Sequence, residues 1–342
     1  MAEITVAIIG LKRVGASFGL AIKRYLKAPG AQHKITIVGS DESAAARSAA
    51  RKLNAIDSEV RSLGAAVEGA DLIVLSLPYS KYDEYYETIS ADLKAGAVIL
   101  DFAPLKLRTI ERARKHLPKQ NGELTAYAVG ATAILNAAYL YDTDDDTETA
   151  RADLFDKGTL ILSPDAQTRG DAIQLASDFA ALIGMSTHFT DPAEHDGLMA
   201  AMEALPLLTN LALFQSVAKN VAWDDLKRVS NPVFAHDTVS LAAFSPQDAA
   251  AAVHGNGAAV ARYLDAMIEN LSELRTLLRT ADELTLAEAF AEVSDQHDEW
   301  LRDRSSNRWS APADETATPT AAGLLRGRFL GRIGQGKKDE KK

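Results

Sequence analysis

The chain contains no cysteine among its 342 residues, which excludes disulfide bonds and thiolate chemistry and favours a reducing compartment. Basic residues are also scarce: 37 lysines and arginines stand against 47 aspartates and glutamates, a net charge of −10 that argues against a nucleic-acid-binding body. No uninterrupted apolar run approaches the roughly 20 residues that span a membrane, and no signal-peptide pattern opens the chain. We therefore expect a soluble, acidic protein of the cytoplasm.

Strand-like and helical segments alternate along the first half of the chain, which predicts a parallel sheet covered by helices on both faces. Strands are expected at 5–9, 35–38, 71–78, 97–101, 125–129 and 159–162, and helices at 14–26, 168–183, 193–220, 245–280 and 284–302. No strand pattern follows Pro164. The expected fold class is α/β: an N-terminal Rossmann-type doubly wound parallel sheet over 1–165, then an all-helical domain over 166–304.

The turn after the first expected strand has the layout of a dinucleotide-binding fingerprint. Residues 10–15 read Gly-Leu-Lys-Arg-Val-Gly and lead into a helix whose N-terminus would carry the pyrophosphate. Lys12 replaces the second glycine: its charge can attract a phosphate, but its Cβ fills space that the backbone normally leaves open. Gly19, on the same helix, would allow close packing on the sheet. An ordinary β–α turn is the alternative interpretation.

Asp41 stands just after the second expected strand. A carboxylate at this place can accept hydrogen bonds from the ribose hydroxyls of adenosine. It favours NAD over NADP, because it would repel the additional phosphate of NADP. A helix cap is the alternative role for this side chain.

The chain as a whole resembles the prephenate/arogenate dehydrogenase family over nearly all of residues 4–302. The matching segments are 8–15 with Ser17, 68–78, Asp101 with Lys106, 154–155, 162–164, 194–196 ahead of 205–206, 237–238, and Asn256 with 263–264. The order and spacing of these segments together carry the resemblance.

This resemblance implies an NAD(P)-binding Rossmann domain, a helical domain that binds substrate and dimerises, and a substrate cleft. It also implies oxidation of prephenate or arogenate with loss of carbon dioxide, on the route to tyrosine. The cofactor is expected to be NAD rather than NADP. The expected cofactor-binding residues are Gly10, Leu11, Lys12, Arg13, Val14, Gly15, Asp41, Ser76, Leu77 and Pro78.

Four polar positions of the family pattern are replaced in this chain. Thr132 stands where the family has its catalytic histidine, and a threonine hydroxyl lacks the accessible pKa of a general base. Pro104 replaces a serine, Glu203-Ala204-Leu205-Pro206-Leu207 replaces Ser-His-Leu-Pro-His, and Ser240 replaces the arginine that binds a substrate carboxylate. We therefore expect prephenate turnover to be absent or very slow, and a histidine restored at Thr132 alone not to recover it.

Four residues are candidates for the missing chemistry: His195, Lys106, Thr132 and Glu203. His195 is the strongest candidate for a base, although it could instead pack as a structural residue at the domain junction. Glu203 could act as a base if buried, because burial raises a carboxyl pKa. Lys106 could bind an anion or a hydroxyl group. No compact spacing of metal ligands is visible, so no metal is predicted.

Two functions follow from these observations. The first is an NAD(P)-dependent dehydrogenase that acts on a CH–OH or cyclohexadienyl substrate, with an altered small-molecule substrate. The second is a catalytically silent relative that binds a nucleotide and acts in regulation or scaffolding.

An apolar stripe runs along residues 260–278 for about five helical turns, which is more than one neighbouring helix would cover in a domain of this size. Its members are Val260, Leu264, Ile268, Leu271, Leu274 and Leu278. Two copies that pack these stripes together would form an isologous interface. A homodimer through the helical domain is therefore expected.

Two short segments carry concentrated charge. The acidic run at 142–146, Asp-Thr-Asp-Asp-Asp, is interpreted as a solvated loop. A disordered basic tail is expected over 305–342, with seven basic and two acidic side chains within 324–342. The tail could contact an anionic surface weakly, or touch the acidic body of its own protein.

Overall fold

The computed structural model describes residues 3–31, 33–243 and 245–307. The predicted basic tail lies outside these residues except for its first three, where the last helix continues to Ser306. The Cα packing divides the chain into two compact units, 1–260 and 261–342.

An eight-stranded sheet forms the centre of the first unit. Its strands are β1 (Glu3–Ile9), β2 (Lys34–Ser40), β3 (Ser58–Glu59), β4 (Leu72–Leu75), β5 (Val98–Asp101), β8 (Tyr127–Ile134), β9 (Thr159–Pro164) and β10 (Ser186–Phe189). The spatial order is β10-β9-β8-β5-β4-β1-β2-β3, and every neighbouring pair is parallel except β8 with β9. Two short strands, β6 (Lys119–Gln120) and β7 (Glu123–Leu124), form a separate antiparallel pair. The predicted mostly parallel α/β sheet is confirmed.

Helices cover both faces of the sheet. They are α1 (Arg13–Lys27), α2 (Ala44–Lys52), α3 (Leu63–Val67), α4 (Tyr82–Ile89), α5 (Lys106–His116) and α6 (Gly170–Leu182). On one face, Phe18 of α1 stacks on Phe155 with ring centroids 4.3 Å apart. On the other face, Tyr82 and Tyr86 of α4 are fully buried. The central strands β4 and β5 are buried along their length because both faces of the sheet are covered.

The expectation that no strand follows Pro164 is wrong. β10 pairs parallel with β9 at the edge of the sheet, so the sheet continues to Phe189. Its four residues, Ser-Thr-His-Phe, are mostly exposed. They therefore lack the apolar run that made the buried strands visible in the sequence.

The chain after β10 is helical as far as it is described. The helices are α7 (Pro192–Met199), α8 (Leu205–Ala218), α9 (Trp223–Leu226), α10 (Pro232–Thr238), α11 (Ser240–Ala243), α12 (Pro246–Gly255), α13 (Gly257–Thr280) and α14 (Glu283–Ser306). A wider π turn at Ala200–Ala204 joins α7 to α8. The helix predicted over 245–280 is therefore two helices, separated at Asn256.

One helical stretch in the described part of the chain, Pro192–Ala218, is long and apolar enough to cross a membrane by length and composition alone. Its mean hydropathy is 1.5 and little of it is buried. A single stretch of this kind is weak evidence for a membrane span, since helices of soluble proteins meet the same criteria.

Candidate functional site

The residues predicted to bind the cofactor gather at the carboxyl ends of β1, β2 and β4. In a doubly wound sheet, ligands bind where the chain direction of successive crossovers reverses, here between β1 and β4. The turn at 10–15 follows β1, and Ser76, Leu77 and Pro78 follow β4.

The turn after β1 requires its glycines. Gly10 has φ +94°, and a Cβ there would lie 1.9 Å from the carbonyl oxygen of Ser76. A Cβ on Gly15 would lie 1.8 Å from the carbonyl oxygen of Gly10, and one on Gly19 would lie 2.1 Å from that of Ala55. The backbone therefore makes the tight turn and close helix packing of a dinucleotide site, although the second glycine is absent.

Asp41 binds the same turn. One carboxylate oxygen accepts the N–H of Leu11 at 2.7 Å, and the other accepts the N–H of Ser43 at 2.8 Å. The N-cap of α2 is Ser43, whose hydroxyl accepts the N–H of Ala46. Asp41 is thus not the N-cap itself, and its carboxylate lies beside the turn.

Residues 142–146, here named the acidic loop, pack against the start of α1. Lys12 Nζ lies 2.8 Å from the carboxylate of Asp145, and Arg13 Nη2 lies 2.6 Å from that of Asp142. Arg13 also donates its backbone N–H to the Asp145 carbonyl at 3.0 Å, and its Nη1 to the Asp144 carbonyl at 2.8 Å. The run is therefore a loop whose five residues are all exposed, as interpreted from the sequence, and the two cations that follow Leu11 hold it against the turn.

Two of the predicted catalytic residues meet directly at β8. Thr132 Oγ1 lies 2.8 Å from His195 Nε2, and His195 Nδ1 lies 3.1 Å from a carboxylate oxygen of Asp196. His195 is fully buried, whereas Thr132 is partly accessible. The three side chains form a hydroxyl–imidazole–carboxylate chain with the spacing of the triads that activate a hydroxyl group.

Asp196 links this hydrogen-bonded series of side chains to α5. Its two carboxylate oxygens accept the backbone N–H groups of Lys106 and Leu107, at 2.7 and 3.1 Å. These donors belong to the first turn of α5, where N–H groups lack partners within the helix. Asn256 donates to the carbonyl oxygen of Asp196. The sequence did not indicate Asp196 as a link, although it directly follows the candidate base.

The ammonium group of Lys106 faces backbone carbonyls. Its Nζ donates to Ala131 at 2.7 Å and also to Ala103, and the side chain is fully buried. Burial lowers the pKa of Lys106 to about 8, although Asp101, Glu203 and Asp196 oppose that shift. A Cβ on Gly130 would lie 2.7 Å from the Lys106 side chain, so this glycine leaves room for it. Lys106 therefore joins the loop after β5 to β8.

Glu203 lies in the π turn between α7 and α8. Although much of the residue is exposed, protein crowding around its carboxyl group raises its pKa, and the charge of Lys106 partly opposes the shift. Turns of this kind occur frequently at functional sites. Among the described residues, no group of histidines and carboxylates could hold a metal ion.

The sequence comparisons agree with this division into a sheet and helices. Residues 22–188 match the family model of the prephenate dehydrogenase nucleotide-binding domain, and residues 191–292 match that of the prephenate dehydrogenase dimerization domain. A cyclohexadienyl dehydrogenase of Zymomonas mobilis is 28% identical over 290 residues, which cover 84% of this chain and 92% of the relative. A prephenate dehydrogenase of Bacillus subtilis is 24% identical over 298 residues, covering 86% of this chain and 75% of the relative.

Solved structures show the same fold. The prephenate dehydrogenase of A. aeolicus, in complex with hydroxyphenyl propionate and NAD+, has a TM-score of 0.70 at 22% identity, over 87% of this chain and 98% of that one. The arogenate dehydrogenase of Synechocystis has a TM-score of 0.63 at 20% identity, over 87% of this chain and 99% of that one. Since the two family models follow each other and together account for most of its length, the chain belongs to the prephenate dehydrogenase family.

Proposed function

We propose that this protein is an NAD-dependent dehydrogenase that oxidises a hydroxyl-bearing or cyclohexadienyl substrate less charged than prephenate. The observation that carries the proposal is the hydrogen-bonded series Thr132–His195–Asp196. In it, His195 contacts Thr132, the residue that replaces the catalytic histidine of the family. Family membership supports the dehydrogenase chemistry.

The hydrogen bonds support one direction of proton transfer. Asp196 accepts two backbone N–H groups, so its carboxylate best accepts a third hydrogen bond from His195 Nδ1. This tautomer, assigned from the network, leaves Nε2 to accept the hydroxyl proton of Thr132. As the substrate is oxidised, its hydroxyl proton passes to Thr132 Oγ1 while the threonine proton passes to His195. Bound NAD supplies the acceptor for the hydride.

The residues around the turn fit a dinucleotide. The backbone at Gly10 and Gly15 leaves no room for a side chain, and Asp41 lies beside the turn, where the adenosine ribose would bind. A carboxylate at this place favours NAD over NADP. The acidic loop covers the phosphate end of the same site.

An altered substrate is supported by the replacement of the family arginine. The hydroxyl of Ser240 accepts a hydrogen bond from Asn210 at 2.8 Å, so this position holds a neutral pair in place of a cation. Arginine–carboxylate contacts are charge-assisted and often bidentate. A substrate with one carboxylate fewer than prephenate would not need that contact.

The test begins with calorimetric titration of the protein with NAD and with NADP, followed by hydride-transfer assays on prephenate and arogenate. We expect NAD to bind more tightly than NADP, and Asp41→Asn to reduce that preference. The assignment of Asp41 would be contradicted if NADP bound more tightly than NAD, or if neither dinucleotide bound. NAD binding with no turnover of any cyclohexadienyl or hydroxy-acid substrate would favour the catalytically silent alternative.

We also propose a homodimer in the cytoplasm, formed through the helical part of the chain. The matched dimerization-domain model supports the assembly. The start of the apolar stretch 192–218 holds His195 and Asp196, both buried in the fold, which favours a partner helix over a membrane as cover for its exposed apolar side chains.

A further inference from the structure

We propose that the acidic loop occupies the place at the start of α1 that a dinucleotide pyrophosphate would take, and that the loop must leave when the dinucleotide binds. The inference rests on the proposed function, because it concerns the same turn. It makes residues 142–146 an internal competitor of the cofactor.

The contact of the loop with the helix end supports this inference first. The N–H groups of the first helical turn have no partners within the helix, and together with the helix dipole they attract anions. Arg13 is the first residue of α1, and its N–H donates to the Asp145 carbonyl at 3.0 Å. A phosphate cannot accept this N–H while the Asp145 carbonyl holds it.

The side-chain contacts extend the same competition. Arg13 is only 4% exposed, and its guanidinium is held by the Asp142 carboxylate and the Asp144 carbonyl. Thr147, just after the loop, donates its hydroxyl to the Leu11 carbonyl at 2.8 Å. The loop thus lies against Lys12 and Arg13, and the residue that follows it contacts Leu11.

Charge works in the same direction. The loop carries four aspartates, two of which pair with Lys12 and Arg13, and Asp41 adds a further negative charge beside the same turn. A hydrogen bond from Lys12 to Asp145 raises the pKa of Lys12, so the ammonium group stays charged and pairs with the loop. With the loop docked, an incoming polyanion meets net negative charge. With the loop released, it meets two cations and a free helix N-terminus.

The test compares the wild-type protein with the double variant Asp142→Asn/Asp145→Asn in calorimetric titrations with NAD. The aspartate is exposed in both ion pairs, so each pair contributes modestly, and loss of the two should tighten NAD binding by roughly three- to tenfold. Glu148→Gln is the matched control, since it removes one charge from the same segment away from the contacts with Lys12 and Arg13. Circular dichroism and thermal melting verify that each variant is folded.

Amide hydrogen exchange gives a readout that does not depend on affinity. On addition of NAD to the wild-type protein, exchange in residues 142–147 should become faster, because the loop loses its contacts with α1. Unchanged exchange with equal NAD affinity in both proteins would overturn the inference alone. Weaker NAD binding by the double variant would overturn it too, since the loop would then close over the bound cofactor. Failure of every form to bind NAD would overturn the proposed function and the inference together.

Discussion

In the proposed mechanism, Thr132 takes part in proton transfer although it cannot itself act as a base. Thr132 is partly accessible, and its hydroxyl forms a hydrogen bond with His195, which is fully buried. A threonine without that partner would be inert near neutral pH. Under the proposed function, a histidine from α7 compensates for the substitution that the sequence shows at Thr132.

We predict that Thr132→Val slows hydride transfer, whereas Thr132→Ser retains most of it. Valine keeps the shape but removes the hydroxyl that joins substrate to His195. Loss of a general acid–base pathway typically lowers the rate by about 10²–10⁴-fold. Single-turnover measurements with the hydroxyl-bearing substrate and NAD would detect the change. The dissociation constant of NAD, measured in parallel, should not move.

An equal loss in the serine and valine variants would contradict the proton relay, because serine preserves the hydroxyl. A large change in NAD affinity with little change in rate would assign Thr132 to cofactor binding.

The pH dependence of the reaction should report His195. Burial lowers the pKa of this histidine, the hydrogen bond to Asp196 opposes the shift, and the charge of Lys106 adds to it. Only the neutral imidazole can accept the threonine proton, so activity is present above the histidine pKa and is lost as the pH falls through it. We expect kcat/KM, followed between about pH 5 and 8, to decline on the acid side below the ordinary histidine value of about 6.5. A decline centred above that value would contradict a buried neutral base.

The conformation of the turn after β1 depends on the space left for its backbone by neighbouring atoms. Gly10 has φ +94° and touches the Ser76 carbonyl across the sheet, so an alanine there meets both backbone strain and a backbone clash. Gly69 also has a positive φ, +73°, but a Cβ there would meet nothing within 4 Å. The two positions separate the conformational effect from the steric one.

We predict that Gly10→Ala abolishes NAD binding and lowers the melting temperature well beyond the effect of Gly69→Ala. The control should cost only the left-handed backbone penalty, about 1–2 kcal/mol, because its Cβ projects into open space. Calorimetric titration and thermal melting of both variants would measure the difference. Similar melting temperatures and unchanged NAD binding would show that the Ser76 contact can relax freely.

The sequence predicted the buried strands well because each is an apolar run between turn signals, as 72–75 and 98–101 show. It did not predict β10, because this strand is short and mostly exposed and lacks an apolar run. The sequence indicated His195 and Thr132 as separate candidates. It did not predict their contact, because the two residues are 63 positions apart and no local pattern encodes it. The contact of the acidic loop with the turn could have been predicted from charge, because the negative charge of the loop complements that of Lys12 and Arg13.

At the scale of the whole molecule, exposed apolar side chains are concentrated in the helical part of the chain. Met202, Leu211 and Phe214 are exposed on the stretch 192–218. On α13, Ile268, Leu271, Leu274 and Leu278 are between 46% and 67% exposed, although all four belong to the stripe that the sequence indicates. Exposed apolar side chains that recur along one helix, as on α13, indicate a contact surface.

We predict that the double variant Leu271→Glu/Leu274→Glu is a folded monomer, whereas the wild-type protein is a dimer. In a two-fold dimer each substituted residue occurs in both copies, so four carboxylates would enter one interface, where unpaired buried charges are strongly unfavourable. Thr276→Glu is the matched control: it introduces a charge on the same helix, at an exposed position outside the stripe. Sedimentation at micromolar concentration would distinguish the two states. A wild-type monomer would contradict the dimer, and a dimeric double variant would move the interface away from this stripe and onto the other exposed apolar side chains, those of 192–218.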